Sequence, residues 1–306
     1  LDEKTRTIYP QILAALNAWR GAGEESCEVE VKESEEKEMN RVIAIVCFSG
    51  GESSAVAAIE TVRRYGKKNT ILLNHNISSH VEHDDIKRFK EDISNYLDVP
   101  ITPANADDYE NMTPLNVSLK KKGFSVGTGQ SFCTYYLKTE PFYNYLETIP
   151  KSPDVHIVYG FDANETDRIY RRADVINAMG YTPEFPLADW ERTIDKTEDV
   201  GIRRPITYRI YKHANCIGCL KAGRQHWYCV YCTRHDIWDE AKAAEKEIGH
   251  SIIKGVYLEE LEPKFREMRE EKRICPNDKE NSNTFWARVE ATLPEQETLF
   301  PCDCAF

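Results

Sequence analysis

The chain has 306 residues, 41% hydrophobic and 30% charged, with a formal net charge of −11. That suffices for one large domain, or a domain with a smaller appendage, around a real core, and no run approaches the roughly 18 apolar residues of a membrane span. The acidic balance argues against a protein that coats nucleic acid over its whole surface, and the start of the sequence has no secretory-signal pattern, so the cytoplasm is the expected location.

In chain order, residues 5–20 (TRTIYPQILAALNAWR) predict an amphipathic helix, followed by an acidic linker to residue 40 in which CEVEVKE has the alternation of an edge strand. From Arg41 the rhythm becomes strand and helix in turn. VIAIVCFS, TILLNHN, ITPANA and VHIVYGF read as strands, and Glu52–Tyr65, Glu82–Leu97, Tyr135–Thr148 and Thr166–Met179 as helices. This alternation predicts an α/β fold, a doubly wound, mostly parallel sheet, over residues 41–205. Residues 206–306 are expected to form a cysteine-bearing subdomain, with charged helices over His235–Ile248 and Leu258–Arg273 and a short helix in the tail.

At Phe48 the first strand empties into Ser49-Gly50-Gly51-Glu52-Ser53-Ser54, and a helix begins at once. Glycines admit positive φ and let a backbone approach a ligand closely. A helix N-terminus offers free N–H groups and the positive end of the dipole. With three hydroxyls added, the stretch has the parts of a phosphate cradle. It is neither the G-x-x-x-x-G-K-S/T loop nor G-x-G-x-x-G.

The strand-SGGxSS-helix pattern resembles the pyrophosphate loop of the adenine-nucleotide α-hydrolase (PP-loop) superfamily, whose usual form is SGGxDS; Ser53 stands where Asp is usual. FCTYYLKTEPF (Phe132–Phe142), YGFDANETDRIYRR and FPLADW (Phe185–Trp190) resemble segments of its phosphoadenylyl-sulfate (PAPS) reductase branch and that branch's DNA-phosphorothioation relatives. The agreement in order and spacing covers about residues 40–235. The resemblance implies ATP or PAPS, with Mg²⁺, on Ser49–Ser54. It puts Asn74 against the adenosine, and Glu165, Arg168 and Arg172 against phosphates or sulfate, with Ser49, Glu165 and Arg168 as the catalytic set.

Ten cysteines are too unevenly placed for a disulfide scaffold, and clustered thiols in a chain of this size point to metal or redox chemistry. CIGCLKAGRQHWYCVYC supports two ligand sets. Cys216, Cys219, Cys229 and Cys232 form two C-x-x-C pairs suited to structural Zn²⁺. Alternatively, as the resemblance implies, Cys133 joins Cys216, Cys219 and Cys232 around a 4Fe–4S cluster. Cys133 lies in a motif that carries the resemblance and is unexplained by zinc, which favours iron–sulfur and leaves Cys229 a buried thiol. Phe132 stands where the iron–sulfur reductases carry an adjacent cysteine. The ending PCDCAF offers Cys302 or Cys304 as a reductase-like thiol, and His226 is expected to be a packed imidazole.

From Gly201 to His235 there is no Asp or Glu, while Arg203, Arg204, Arg209, Lys212, Lys221, Arg224 and Arg234 are all basic. An acidic protein with one wholly basic segment suggests a reserved anion contact. The expectation is therefore an ATP pyrophosphatase that adenylates an acceptor, DNA or tRNA, for sulfur transfer. A partner protein would present the acceptor, and a cysteine desulfurase is a candidate sulfur donor. The alternatives are a PAPS reductase releasing sulfite and a nucleotide-sensing module without turnover.

Overall fold

The computed structural model describes residues 42–125, 130–214 and 216–292. The expected N-terminal helix, the CEVEVKE stretch and the cysteines of the PCDCAF ending lie outside them.

Five parallel strands form one sheet in the order β3-β2-β1-β4-β5. They are β1 (Ile43–Cys47), β2 (Thr70–Asn74), β3 (Ile101–Pro103), β4 (Val155–Val158) and β5 (Thr182–Glu184). Strands buried on both faces read as continuous apolar runs, as IAIVC and VHIV do. Parallel neighbours require crossovers, supplied by α1 (Glu52–Tyr65) from β1 to β2 and α2 (Asp84–Leu97) from β2 to β3. The crossover from β3 to β4 contains α3 (Pro114–Lys121) and α4 (Glu140–Glu147), and α5 (Thr166–Ala178) joins β4 to β5.

The two faces of the sheet carry separate cores, as alternation along a strand demands. Ala44, Val46 and Phe48 pack with Ala55 and Ile59 of α1 and Phe89 and Ile93 of α2. Ile45, Leu73 and Ile157 point the other way, onto Phe142, Leu146 and Ile176. A third core joins α6 (Arg224–Thr233), α7 (His235–Ile248), α8 (Leu258–Arg266) and α9 (Ser282–Thr292) around the fully buried Trp227, Trp238, Phe265 and Phe285. Ile77, Val81 and Leu115 belong to this third core. The C-terminal helices are thus packed onto the loop that follows β2 and onto α3.

Local chemistry sets the boundaries. α2 begins at Asp84 rather than Glu82, because the His83 ring accepts the Asp85 N–H at 3.0 Å and caps the helix. The expected helix over Tyr135–Thr148 contains a π-helical turn, Tyr135–Thr139. Pro141 has no N–H for the Leu137 carbonyl, so the preceding turn is wound more loosely, with Glu140 bonded back to Tyr135. β5 was not anticipated; it is three residues long with a central proline, which an edge strand tolerates.

Candidate functional site

The serine–glycine bend leaves the end of β1, where the strand order reverses: the chain winds outward to β2 and β3 on one side and to β4 and β5 on the other. In open parallel sheets the crevice beyond this switch point is where ligands bind. Gly50 has φ +78° and lies against α2, where a Cβ would fall 2.5 Å from Lys90 Cε. Gly160, just beyond β4, meets the other side of the loop. A Cβ there would fall 2.6 Å from the Ser53 carbonyl oxygen, a backbone atom that cannot yield.

Within the bend, Ser54 Oγ donates to the Gly51 carbonyl at 2.8 Å, accepts the Ser49 N–H at 3.2 Å and lies 3.1 Å from Ser49 Oγ. Ser54 is therefore a buried brace, while Ser49 and Ser53 are exposed. No side chain caps α1 at Gly51. Instead, the Glu52 N–H donates to Tyr208 Oη at 3.0 Å.

Glu52, expected to face a ligand, turns its carboxylate to Thr197, accepting the backbone N–H at 2.8 Å and the side-chain hydroxyl. Burial raises its pKa above the usual carboxylate range, and the Thr197 bonds only partly offset this. Farther along α1, buried Glu60 accepts the backbone N–H groups of Thr193 and Ile194 at 2.8 and 3.1 Å. These two carboxylates lay residues 193–197 along α1. Asp85 of α2 then accepts the Ile206 N–H at 2.6 Å, starting the short 3-10 turn Ile206–Arg209 that delivers Tyr208 to the bend. The basic segment thus crosses the carboxyl edge of the sheet, beside the loop.

Asn74, at the end of β2, is buried and fully engaged. Its amide donates to the Phe48 carbonyl at 2.5 Å, and its carbonyl accepts from Lys90 Nζ at 3.3 Å. Lys90 also holds Glu82 at 2.7 Å, both side chains under 10% exposed. This buried pair lies beneath the loop, and the Asn74 amide is bonded to Phe48 and Lys90 rather than presented as a free side chain.

Beyond β4, Tyr159, Phe161 and Phe185 stack with ring centroids 5.2–6.1 Å apart. The guanidinium of Arg168 lies 4.2 Å from the Phe161 ring and that of Arg172 5.4 Å from Tyr159. Arg168 pairs with Glu165, so two of the expected catalytic residues contact each other at the start of α5. Arg171 donates to the Asp167 carbonyl of its own helix at 3.0 Å. Burial pushes the thiol of Cys47, at the end of β1, up to about 12, opposed by Tyr159 and Arg172.

Cys133, Cys216 and Cys219 line one cavity of about 50 Å³, together with Lys138 and Lys221. Burial pushes the Cys216 thiol up to about 11 and raises Cys133, opposed by the lysines. Three thiols facing one space are donor chemistry suited to a thiolate-bound centre. They are neighbours rather than a closed ligand set: among the described residues no three His, Cys, Asp or Glu side chains stand close enough to hold a metal ion. Cys232 does not line this cavity; burial raises its thiol, opposed by Tyr228 and Arg269. Cys229 is fully buried, and His226 packs against Tyr211 while bonding Asp278 at 3.1 Å, both as read from the sequence.

Sequence reasoning missed Tyr208, Lys90 and Gly160. Only Gly160 left a local signal, a glycine directly after a strand. No protein-family model and no curated protein matches this chain.

Proposed function

We propose that the chain is an ATP pyrophosphatase that adenylates an anionic acceptor for sulfur transfer, of the PP-loop, PAPS reductase-like type. The observation that carries this reading is the serine–glycine bend feeding the N-terminus of α1 at the switch point of the sheet. Loop N–H groups and the Ser49 and Ser53 hydroxyls suit the oxygens of a pyrophosphate. An acceptor oxygen would attack the α-phosphorus; the bond to the bridging oxygen breaks, and pyrophosphate leaves with the charge the loop is built to receive. Arg168 and Arg172 are the cations suited to the remaining phosphate or the acceptor.

Magnesium would arrive on the nucleotide. Cys133, Cys216 and Cys219 are the residues that would hold an iron–sulfur cluster or zinc, which when bound would supply a sulfur-handling or structural centre. The basic segment supports DNA or tRNA as acceptor, with a partner protein and a desulfurase supplying what this chain lacks.

The test is α-labelled ATP with Mg²⁺, supercoiled DNA or tRNA, and a persulfide donor. AMP and pyrophosphate formed in equal amounts, and lost on Ser49→Ala with Ser53→Ala, are expected. Tight ATP binding without turnover under every condition would sink the enzymatic reading, and sulfite formed from PAPS would replace it with the reductase one.

A further inference from the structure

A cavity of about 490 Å³ opens between the start of α2 and the basic segment, within the size range of small-molecule sites. Thr207 lines it and is 8% exposed, yet its hydroxyl has no hydrogen-bond partner among the described residues. Buried hydroxyls are nearly always bonded, and an orphan one marks a missing partner. Beside Thr207 the cavity presents Arg209, which makes no ion pair among the described residues, and Arg234, shared between Asp236 and the His80 carbonyl. Arg234 also stands at the N-terminus of α7, where no side chain caps the helix.

Two carboxylates share the lining. Glu82 is neutralised by Lys90 at 2.7 Å, and Asp84 is 92% exposed to water. The remaining polar groups are Ser79, His83, Thr233 and Tyr211, the last two bonded to each other at 3.0 Å.

Location narrows the ligand. On one side, Thr207 is followed by Tyr208, which touches the glycine bend. On the other, Ile217 lines the cavity and donates its N–H to the Val81 carbonyl at 2.9 Å, and it sits next to Cys216 of the thiol cavity. The lining therefore includes the chain neighbours of Tyr208, which touches the bend, and of Cys216, which lines the thiol cavity.

We propose that this cavity is the acceptor pocket, taking a phosphodiester unit of a nucleic-acid strand, with Arg209 on the phosphate and the Thr207 hydroxyl donating to it; this rests on the pyrophosphatase reading for its role. DNA and RNA share the phosphodiester, and the test separates them.

The full chain is titrated by fluorescence anisotropy, without ATP, with short single-stranded DNA and RNA, and by calorimetry with pyrophosphate. Arg209→Ala is expected to weaken the preferred strand about tenfold and to lower the slope of log affinity against log salt by about one. Thr207→Val is expected to weaken it severalfold while leaving thermal unfolding unchanged or raised, because the free protein loses no bond. Pyrophosphate affinity should move with neither. Strand binding that is absent, or that ignores both substitutions, overturns the pocket even if pyrophosphate release stands. Strand binding that depends on both residues, in a protein that never releases pyrophosphate, upholds the pocket and removes the enzymatic role.

Discussion

Tyr208 Oη accepts the backbone N–H of Glu52 at 3.0 Å, so the first amide of α1 is capped by a side chain from the basic segment. That amide is one of the donors a bound phosphate would use. Replacing Tyr208 by Phe frees it while keeping the ring in place. Pyrophosphate should then bind about fivefold tighter, the worth of about 1 kcal/mol for one hydrogen bond. Calorimetry decides; weaker binding would mean that the hydroxyl is itself a ligand contact.

Gly160→Ala puts a methyl 2.6 Å from the Ser53 carbonyl oxygen and 2.9 Å from Ser54 Cα. Both neighbours are backbone, so β4 and the loop must separate. A loss of about 1–3 kcal/mol is expected from such overpacking, read by urea unfolding, with weaker pyrophosphate binding alongside. An unchanged unfolding midpoint would contradict the contact.

Lys90→Met removes the partner of buried Glu82 and leaves a carboxylate beneath the loop. Breaking a buried pair on one side costs about 3–5 kcal/mol. The double variant Lys90→Met with Glu82→Gln should recover much of this, since no charge is then stranded. Equal loss in single and double variants would place the effect in lost packing on Gly50 instead.

The Arg88 guanidinium beside Asp85 holds its carboxyl down at about 2, helped by the Ile206 N–H. An unfolded Asp titrates near 3.9, so the folded chain binds the proton less well. The stabilisation is present above pH about 4 and is lost as pH falls towards 2. Wild type should therefore exceed Asp85→Asn in urea midpoint at neutral pH, with the gap closing over that window. A gap independent of pH would show that the charge is not its source.

Anaerobic reconstitution with iron and sulfide tests the thiols. Cys133→Ser, Cys216→Ser and Cys219→Ser should each lose most of the bound metal, and Cys232→Ser should keep it, because Cys232 does not line their cavity. Loss confined to Cys232→Ser would place the centre outside this cavity.

Much of the architecture was open to reading in the sequence. Apolar runs such as IAIVC, followed by helical periodicity, announce buried parallel strands and their crossovers, because burial on both faces leaves no room for polar residues. The glycine bend was equally plain, since close backbone approach and positive φ restrict the residue type locally. Cys229 and His226 also sit as their apolar surroundings imply.

Contacts between distant segments were not open to reading. Nothing near Tyr208 shows that it caps Glu52, and nothing near Asn74 shows that Phe48 and Lys90 consume both ends of its amide. Two C-x-x-C pairs look equivalent as text, yet Cys216 and Cys219 sit in a loop and line one cavity with Cys133, while Cys232 rides on α6 outside that lining. Local propensity and hydrophobic period act over a few residues and write themselves into the chain there. Which side chain meets which across separate elements of the chain depends on how the sheet and its helices pack, and only the folded molecule decides it.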